Sequence, residues 1–161
     1  MEIKLIAAKN IDGAIGKEGE VPWDVAGEQK HFKEETIGSP VIMGSNTFDS
    51  IMNKIQKPLP DRTNIVLSQS RAGLDYPNVS FVKSIDNALQ VASNQSEEVY
   101  IIGGESVYEQ FIGMADEMIL SIVEEEVEDA DAYFPTFDVG NWRVSKREDK
   151  GEFEVIHRER V

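Results

Sequence analysis

Three groups of residues in this sequence have the types and spacing that chemistry needs. The first is Val99-Tyr100-Ile101-Ile102-Gly103-Gly104-Glu105-Ser106-Val107-Tyr108, an apolar run that ends in two glycines before a helical pattern begins. Glycine lets backbone approach a ligand closely, and the free N–H groups at a helix start attract phosphate. The pattern is not G-x-G-x-x-G, so a Rossmann domain is not indicated. The second group repeats the arrangement: Val41-Ile42-Met43-Gly44-Ser45-Asn46-Thr47 is again strand, glycine and helix start. One Gly-Gly after a strand is usually only a turn. Two such junctions at the carboxyl ends of strands could hold the two halves of a dinucleotide pyrophosphate. The third group is Glu28 with Phe32, at i and i+4 of a helical pattern, so that they share one face. If Phe32 points inward, Glu28 does too, and a buried carboxylate is costly unless partnered and has its pKa raised. Spacing alone leaves open whether Glu28 is that group or one more surface acid, and Glu34 and Glu35 are free to face water.

The elements that must position these groups can be read from apolar periodicity. Short β-rich runs at residues 3–8, 40–44, 63–68, 79–82 and 98–102 predict strands. Helical patterns lie between them at 25–37, 45–52, 84–92 and 105–112, the first with Asp24 as N-cap and Gly38 as stop signal. Such alternation predicts an α/β fold with a mostly parallel central sheet between two helical layers. Residues 118–123, 142–147 and 153–158 read as strands without intervening helices, hence a closing antiparallel hairpin and about eight strands in all. No repeat or linker divides the chain, so residues 1–161 are expected to form a single domain.

Composition narrows the function classes. The 161 residues include no cysteine, which excludes disulfides, thiolate nucleophiles and Cys-based zinc sites. No run approaches the roughly 18 apolar residues of a membrane span. The N-terminal Met1-Glu2-Ile3-Lys4 lacks the layout of a signal peptide, so a cytoplasmic location is expected. Thirty Asp and Glu against 16 Lys and Arg give a net charge of −14. That balance argues against nucleic acid and anionic membranes as partners, since both select clustered cations. It keeps a protein soluble at the expense of self-repulsion, which a salt-rich cytosol would screen. The acidic run Glu124-Glu125-Glu126-Val127-Glu128-Asp129-Ala130-Asp131 lacks the turn glycine and alternate spacing of a calcium loop and reads as a solvated strand end. No metal site is expected.

Taken together, several segments resemble the dihydrofolate reductase family. They are Leu5-Ile6-Ala7-Ala8, Ala14-Ile15-Gly16, Val21-Pro22-Trp23, and Pro40-Val41-Ile42-Met43-Gly44 followed by Thr47-Phe48-Asp49-Ser50-Ile51. Further along come Pro58-Leu59-Pro60-Asp61-Arg62-Thr63-Asn64-Ile65-Val66-Leu67-Ser68, Ile101-Ile102-Gly103-Gly104 with Tyr108-Glu109-Gln110-Phe111, and Asp131 with Phe134-Pro135. Each is weak alone; their joint order is specific.

The resemblance implies reduction of dihydrofolate to tetrahydrofolate with a hydride from NADPH, supplying thymidylate, purine and amino-acid synthesis. It places Glu28 as the carboxylate that binds the pterin, with Ser121 supporting it and Trp23 holding an ordered water. Phe32 would pack on the pterin, Arg62 would clamp the tail carboxylate, and the Ile6 and Ile102 carbonyls would accept exocyclic amino hydrogens. Ala7 and Ile51 complete the expected substrate pocket. The cofactor would lie along Ala8, Ile15, Gly16, Gly44, Ser45, Asn46, Thr47, Leu67, Ser68, Gln69 and Lys83, and along Gly103, Gly104, Glu105, Ser106, Val107 and Tyr108. The loop of residues 10–23, with Gly13, Gly16 and Gly19, would close over the nicotinamide. The family's antifolates, methotrexate among them, are the expected inhibitors, and the protein is expected to be a monomer.

The sequence departs from the family pattern chiefly in charge. Ser45 and Ser106 stand where basic residues are common, which leaves Arg71 and Lys83 as cations for an adenosine 2′-phosphate. Gln29 replaces an apolar residue typical beside the carboxylate, and residues 52–57 form a longer stretch than usual. Two rival readings differ from the resemblance in what they require. A pyrimidine reductase of riboflavin synthesis shares the cofactor turns but has no use for Trp23, Glu28, Phe32 and Arg62 together. A silent pterin- or dinucleotide-binding protein would have lost the carboxylate or the loop.

Overall fold

The computed structural model describes residues 1–16, 23, 25 and 27–161. Among them, eight strands of four or more residues and one short edge strand form a single sheet in the order β10-β11-β8-β1-β7-β3-β4-β6-β5. Its strands are β1 (Glu2–Asn10), β3 (Val41–Gly44), β4 (Asn64–Leu67), β5 (Asp75–Tyr76), β6 (Val79–Val82), β7 (Glu98–Ile101), β8 (Glu117–Val123), β10 (Trp142–Asp149) and β11 (Phe153–Arg160). From β8 to β6 every neighbouring pair is parallel; β11 pairs antiparallel with both β8 and β10, and β5 pairs antiparallel with β6. The expected α/β architecture with a C-terminal hairpin is therefore present. A separate ladder joins β2 (Ala14–Gly16) to β9 (Ala132–Tyr133).

Parallel strands must be covered on both faces, and alternation divides their side chains between two apolar clusters. Leu5, Ile42, Ile65, Val99 and Ile101 point to one side, where α3 (Ile85–Ser93) and α4 (Glu105–Phe111) bring Ala88, Ala92, Tyr108 and Phe111. Ile6, Val41, Met43, Val66 and Tyr100 point to the other, where Phe32 of α1 (Glu28–Thr36) and Phe48, Ile51 and Met52 of α2 (Ser45–Ile55) pack.

The helices differ from expectation mainly at their ends. The first begins at Glu28 rather than at residue 25, because Gly27 adopts a left-handed φ of 85° that breaks the helical path. Val25 is instead buried against the sheet, and Asp24, expected as N-cap, lies outside the described residues. Gly38, also left-handed, follows the helix end as expected. The second helix runs on to Ile55, past the expected residue 52, so the long stretch before Pro58 is largely one extra helical turn. In the third, Ser84 is the cap rather than the first residue, and its hydroxyl accepts from the Asn87 amide.

Candidate active site

At the carboxyl ends of the parallel strands a cleft of about 1110 Å³ opens between α1 and α2 and continues past the two glycine turns. This is where an open α/β sheet binds ligands. Its floor carries Ile6, Ala7 and Ala8 from β1, Leu67 at the end of β4, and Ile102, Gly103 and Gly104 after β7.

The first glycine turn feeds Gly44, Ser45, Asn46 and Thr47 into α2, and all four line the cleft. No side chain caps this helix, so the amides of its first turn remain free for a ligand. The second turn brings Gly103, Gly104, Glu105, Ser106, Val107 and Tyr108 to the wall. The two turns touch: the Gly44 amide donates to the Gly103 carbonyl at 2.9 Å. The peptide between Gly103 and Gly104 is cis. A Cβ on Gly103 would stand 3.2 Å from the Tyr108 hydroxyl, and Gly103 has a φ of 114°, so glycine is required there. The carboxylate of Glu105 is engaged by the Tyr133 amide at 2.7 Å. Ile15 and Gly16 close the wall beside Asp131 and Ala132.

α1 supplies the titratable group. Its half-buried and buried positions are Glu28, His31, Phe32, Glu35 and Thr36, a stripe at i, i+3, i+4, i+7 and i+8. Glu28 therefore shares the inward face with Phe32, and both line the cleft. Burial raises the Glu28 pKa above the ordinary carboxylate value, although its place in the first helical turn favours the charge. Glu35, expected to face water, sits on the inward stripe, because it lies seven residues after Glu28 and three after Phe32 on the same helical face.

Arg62 is only 6% exposed and also lines the cleft. Its Nε donates to the Pro60 carbonyl at 2.9 Å, and one Nη donates to the Thr36 hydroxyl at 3.0 Å. That hydroxyl in turn donates to the Phe32 carbonyl. The guanidinium lies 6.0 Å from the Phe32 ring centre, and burial lowers its pKa. Ile51, from α2, completes this end of the wall.

The remaining expected site residues lie off the wall. Trp23 packs against the apolar cluster on the α1 side, its indole N–H buried and without a hydrogen-bond partner. Ser121 is 2% exposed on β8, paired with Ala8, and makes no hydrogen bond to Glu28 among the described residues. Ser68 accepts the Arg71 amide, while the Gln69 side chain donates to the Lys83 carbonyl. Arg71 is held in a two-pronged bond by Asp49, both prongs 2.9 Å, which occupies one of the two cations expected near an adenosine 2′-phosphate. Of the mobile loop expected over residues 10–23, residues 17–22 lie outside the described residues. Sequence reasoning missed Thr36, whose only signal was its place eight residues after Glu28, and Asp49, whose partner comes from a distant loop.

Comparison with known proteins places this geometry. Residues 2–158 match the profile of the family described as Dihydrofolate reductase. The chain is similar to dihydrofolate reductase HdrB of Haloferax volcanii, with 35% identity over 162 residues, covering 97% of this chain and 82% of that protein. It is 34% identical to a dihydrofolate reductase of Haemophilus influenzae, covering 89% of this chain and 85% of the relative. A Bacillus subtilis dihydrofolate reductase is 34% identical over 146 residues, 91% of this chain and 83% of its own length.

Proposed function

The chain belongs to the dihydrofolate reductase family and is an oxidoreductase that reduces dihydrofolate; we propose that its hydride donor is NADPH and that Glu28 anchors the pterin. The observation that carries the reading is a half-buried carboxylate beside Phe32 and Arg62 on a cleft whose continuation has two glycine turns and an uncapped helix start.

The cofactor fits on chemical grounds. Free amides at the start of α2 suit phosphate, and Gly103 and Gly104 bring bare backbone to the cleft wall, where a ligand can approach closely. Ala8, Ile15, Gly16, Gly44, Ser45, Asn46, Thr47, Leu67 and the turn 103–108 would hold it, with Ser68, Gln69 and Lys83 beyond the cleft wall on the adenosine side. When bound, NADPH supplies the hydride that reaches C6 of the substrate.

The chain's own residues align the substrate and tune its charge. Glu28 accepts two hydrogen bonds from the pterin's N3 and 2-amino group, which fixes the ring's orientation and raises the basicity of N5. Trp23, with its unpartnered indole N–H, holds the water that delivers the proton to N5. Phe32 and Ile51 pack on the pterin and the ring that follows it. Arg62 receives the tail carboxylate on the guanidinium edge that its protein partners leave open. Ser121, on the same face of β8 as Ile119, supports the site from behind Glu28.

The whole chain acts as one domain, a cytoplasmic monomer inhibited by methotrexate. Among the described residues no helix is long and apolar enough to cross a membrane. The test follows NADPH absorbance with dihydrofolate present, from low to multimolar potassium chloride. Dihydrofolate-dependent oxidation blocked by methotrexate supports the reading; a folded protein that binds NADPH but neither folate nor methotrexate overturns it.

A further inference from the structure

The sheet order dictates how a dinucleotide must lie in the cleft. Glu28 and Phe32 share the substrate end with Ile6 and Ala7 of β1 and with Ile102 after β7. In the order β1-β7-β3-β4-β6 the glycine turn after β3 comes next, and the ends of β4 and β6 lie beyond it. A cofactor that offers its nicotinamide to the substrate and its pyrophosphate to the start of α2 therefore carries its adenosine out over β4 and β6. The cations on the cleft wall lie elsewhere: Lys30 and Lys33 on α1, Lys54 in the last turn of α2, and Arg62 just before β4. The two glycine turns contribute hydroxyls, the Asn46 amide and the Glu105 carboxylate, but no cation. The segments that follow β4 and β6 each bring one, Arg71 and Lys83.

Arg71 is already committed. Its two Nη atoms donate to the two carboxylate oxygens of Asp49, each at 2.9 Å. Asp49 is four residues along α2 from Ser45, about 6 Å at the helical rise, so the pair stands one turn from the amides that suit pyrophosphate. The Arg71 backbone amide donates to the Ser68 hydroxyl at 3.1 Å, and the guanidinium lies 6.0 Å from the Phe81 ring centre. Both ends of the arginine are thus fixed while its fork meets Asp49. A two-pronged pair of this kind is stronger than a single contact, and it cancels the charge. The adenosine end meets a neutralised arginine and one exposed lysine, Lys83.

We propose that Asp49 is a specificity-determining residue: by holding Arg71 it withholds the cation that a 2′-phosphate needs, so that NADH donates hydride nearly as well as NADPH. The 2′-hydroxyl of NADH loses nothing beside a neutral pair. The 2′-phosphate of NADPH gains only an exposed contact with Lys83, and such contacts are weak. This rests on the dinucleotide reading above and sets how widely that site accepts its cofactor.

The probes are NADPH and NADH, with Kd read from nicotinamide fluorescence and kcat/KM from turnover of dihydrofolate. At about 0.1 M salt the two wild-type Kd values should agree to within about tenfold, since one exposed ion pair separates them. Asp49→Asn keeps the side-chain volume and releases the guanidinium. It should tighten NADPH by about tenfold, the scale of one charge-assisted hydrogen bond, and leave NADH within about twofold. Adding Arg71→Gln to Asp49→Asn should cancel that gain. Unchanged NADH binding in each variant shows that the site is intact. A wild-type preference for NADPH beyond about tenfold overturns the proposal. So does an Asp49→Asn variant in which both Kd values move together or neither moves. If the folded wild type binds neither dinucleotide, the cofactor reading beneath the proposal fails instead.

Discussion

Tyr108 donates its hydroxyl hydrogen to the carbonyl of Ile6 at 2.7 Å, across 102 residues of sequence and in the buried floor of the cleft. The bond ties the middle of α4 to β1 beside the glycine turn. Burial, with a smaller contribution from the charge of Glu28, raises the Tyr108 pKa, so the proton stays on the hydroxyl throughout the working pH range. Tyr108→Phe leaves the Ile6 carbonyl with an unmet lone pair and should cost about 1–3 kcal/mol in urea unfolding. An unchanged urea midpoint would show that the bond contributes nothing.

Glu28→Gln keeps the shape of the side chain and removes the anion. Turnover of dihydrofolate is expected to fall by roughly 10² or more, with NADPH affinity within about twofold of the wild type. Burial raises the Glu28 pKa, so the pH midpoint of kcat/KM should lie above the ordinary carboxylate range and disappear in the variant. Equal loss of cofactor binding would remove Glu28 from the substrate site.

Arg62 and Thr36 separate contact from positioning. Arg62→Leu removes the charged fork and is expected to raise the KM for dihydrofolate about tenfold or more, as loss of a charge-assisted hydrogen bond should. Thr36→Val keeps the volume but frees the guanidinium from its 3.0 Å anchor. Thr36 acts through Arg62, so this variant should raise KM by a few-fold and leave kcat in place. A fall in kcat with KM unmoved would contradict that role.

Acid stability should depend on Glu148. Hydrogen bonds from Lys150 first, then His157 and Lys146, hold its carboxyl at about 2, below the ordinary 4.5. A carboxyl whose pKa drops on folding stabilises the protein above its unfolded value, and the contribution is lost as pH falls from about 4.5 towards 2. Glu148→Gln should therefore lower Tm at pH 7 by on the order of 2 °C, and the gap to the wild type should close near pH 2. A gap that stays constant with pH would point to packing rather than charge.

Net charge of −14 predicts a salt response. Self-repulsion is screened by added ions, so the urea midpoint should rise between about 0.1 and 1 M potassium chloride as the screening length drops from about 10 to 3 Å. A midpoint that falls over this interval would mean that favourable ion pairs outweigh the repulsion.

The sequence by itself determined what repeats along the chain at short range. The alternation of apolar runs with helical patterns pointed to the parallel sheet and its two helical layers, because crossovers between parallel strands are usually helical; β4 and β6, joined without a helix, are the exception. The glycine junctions at 44 and 103–104, the shared face of Glu28 and Phe32, and the antiparallel tail are all local patterns. Helix ends were less legible: Gly27 looks like any helical glycine until its left-handed φ cuts the first turn. Only the tertiary structure decided which distant groups meet. Nothing in sequence spacing says that Asp49 claims Arg71, that Thr36 holds Arg62, or that Tyr108 reaches Ile6. Periodicity reports which side of an element is apolar, whereas pairings between elements follow from the sheet order and from the close approach that buried polar groups need to satisfy one another.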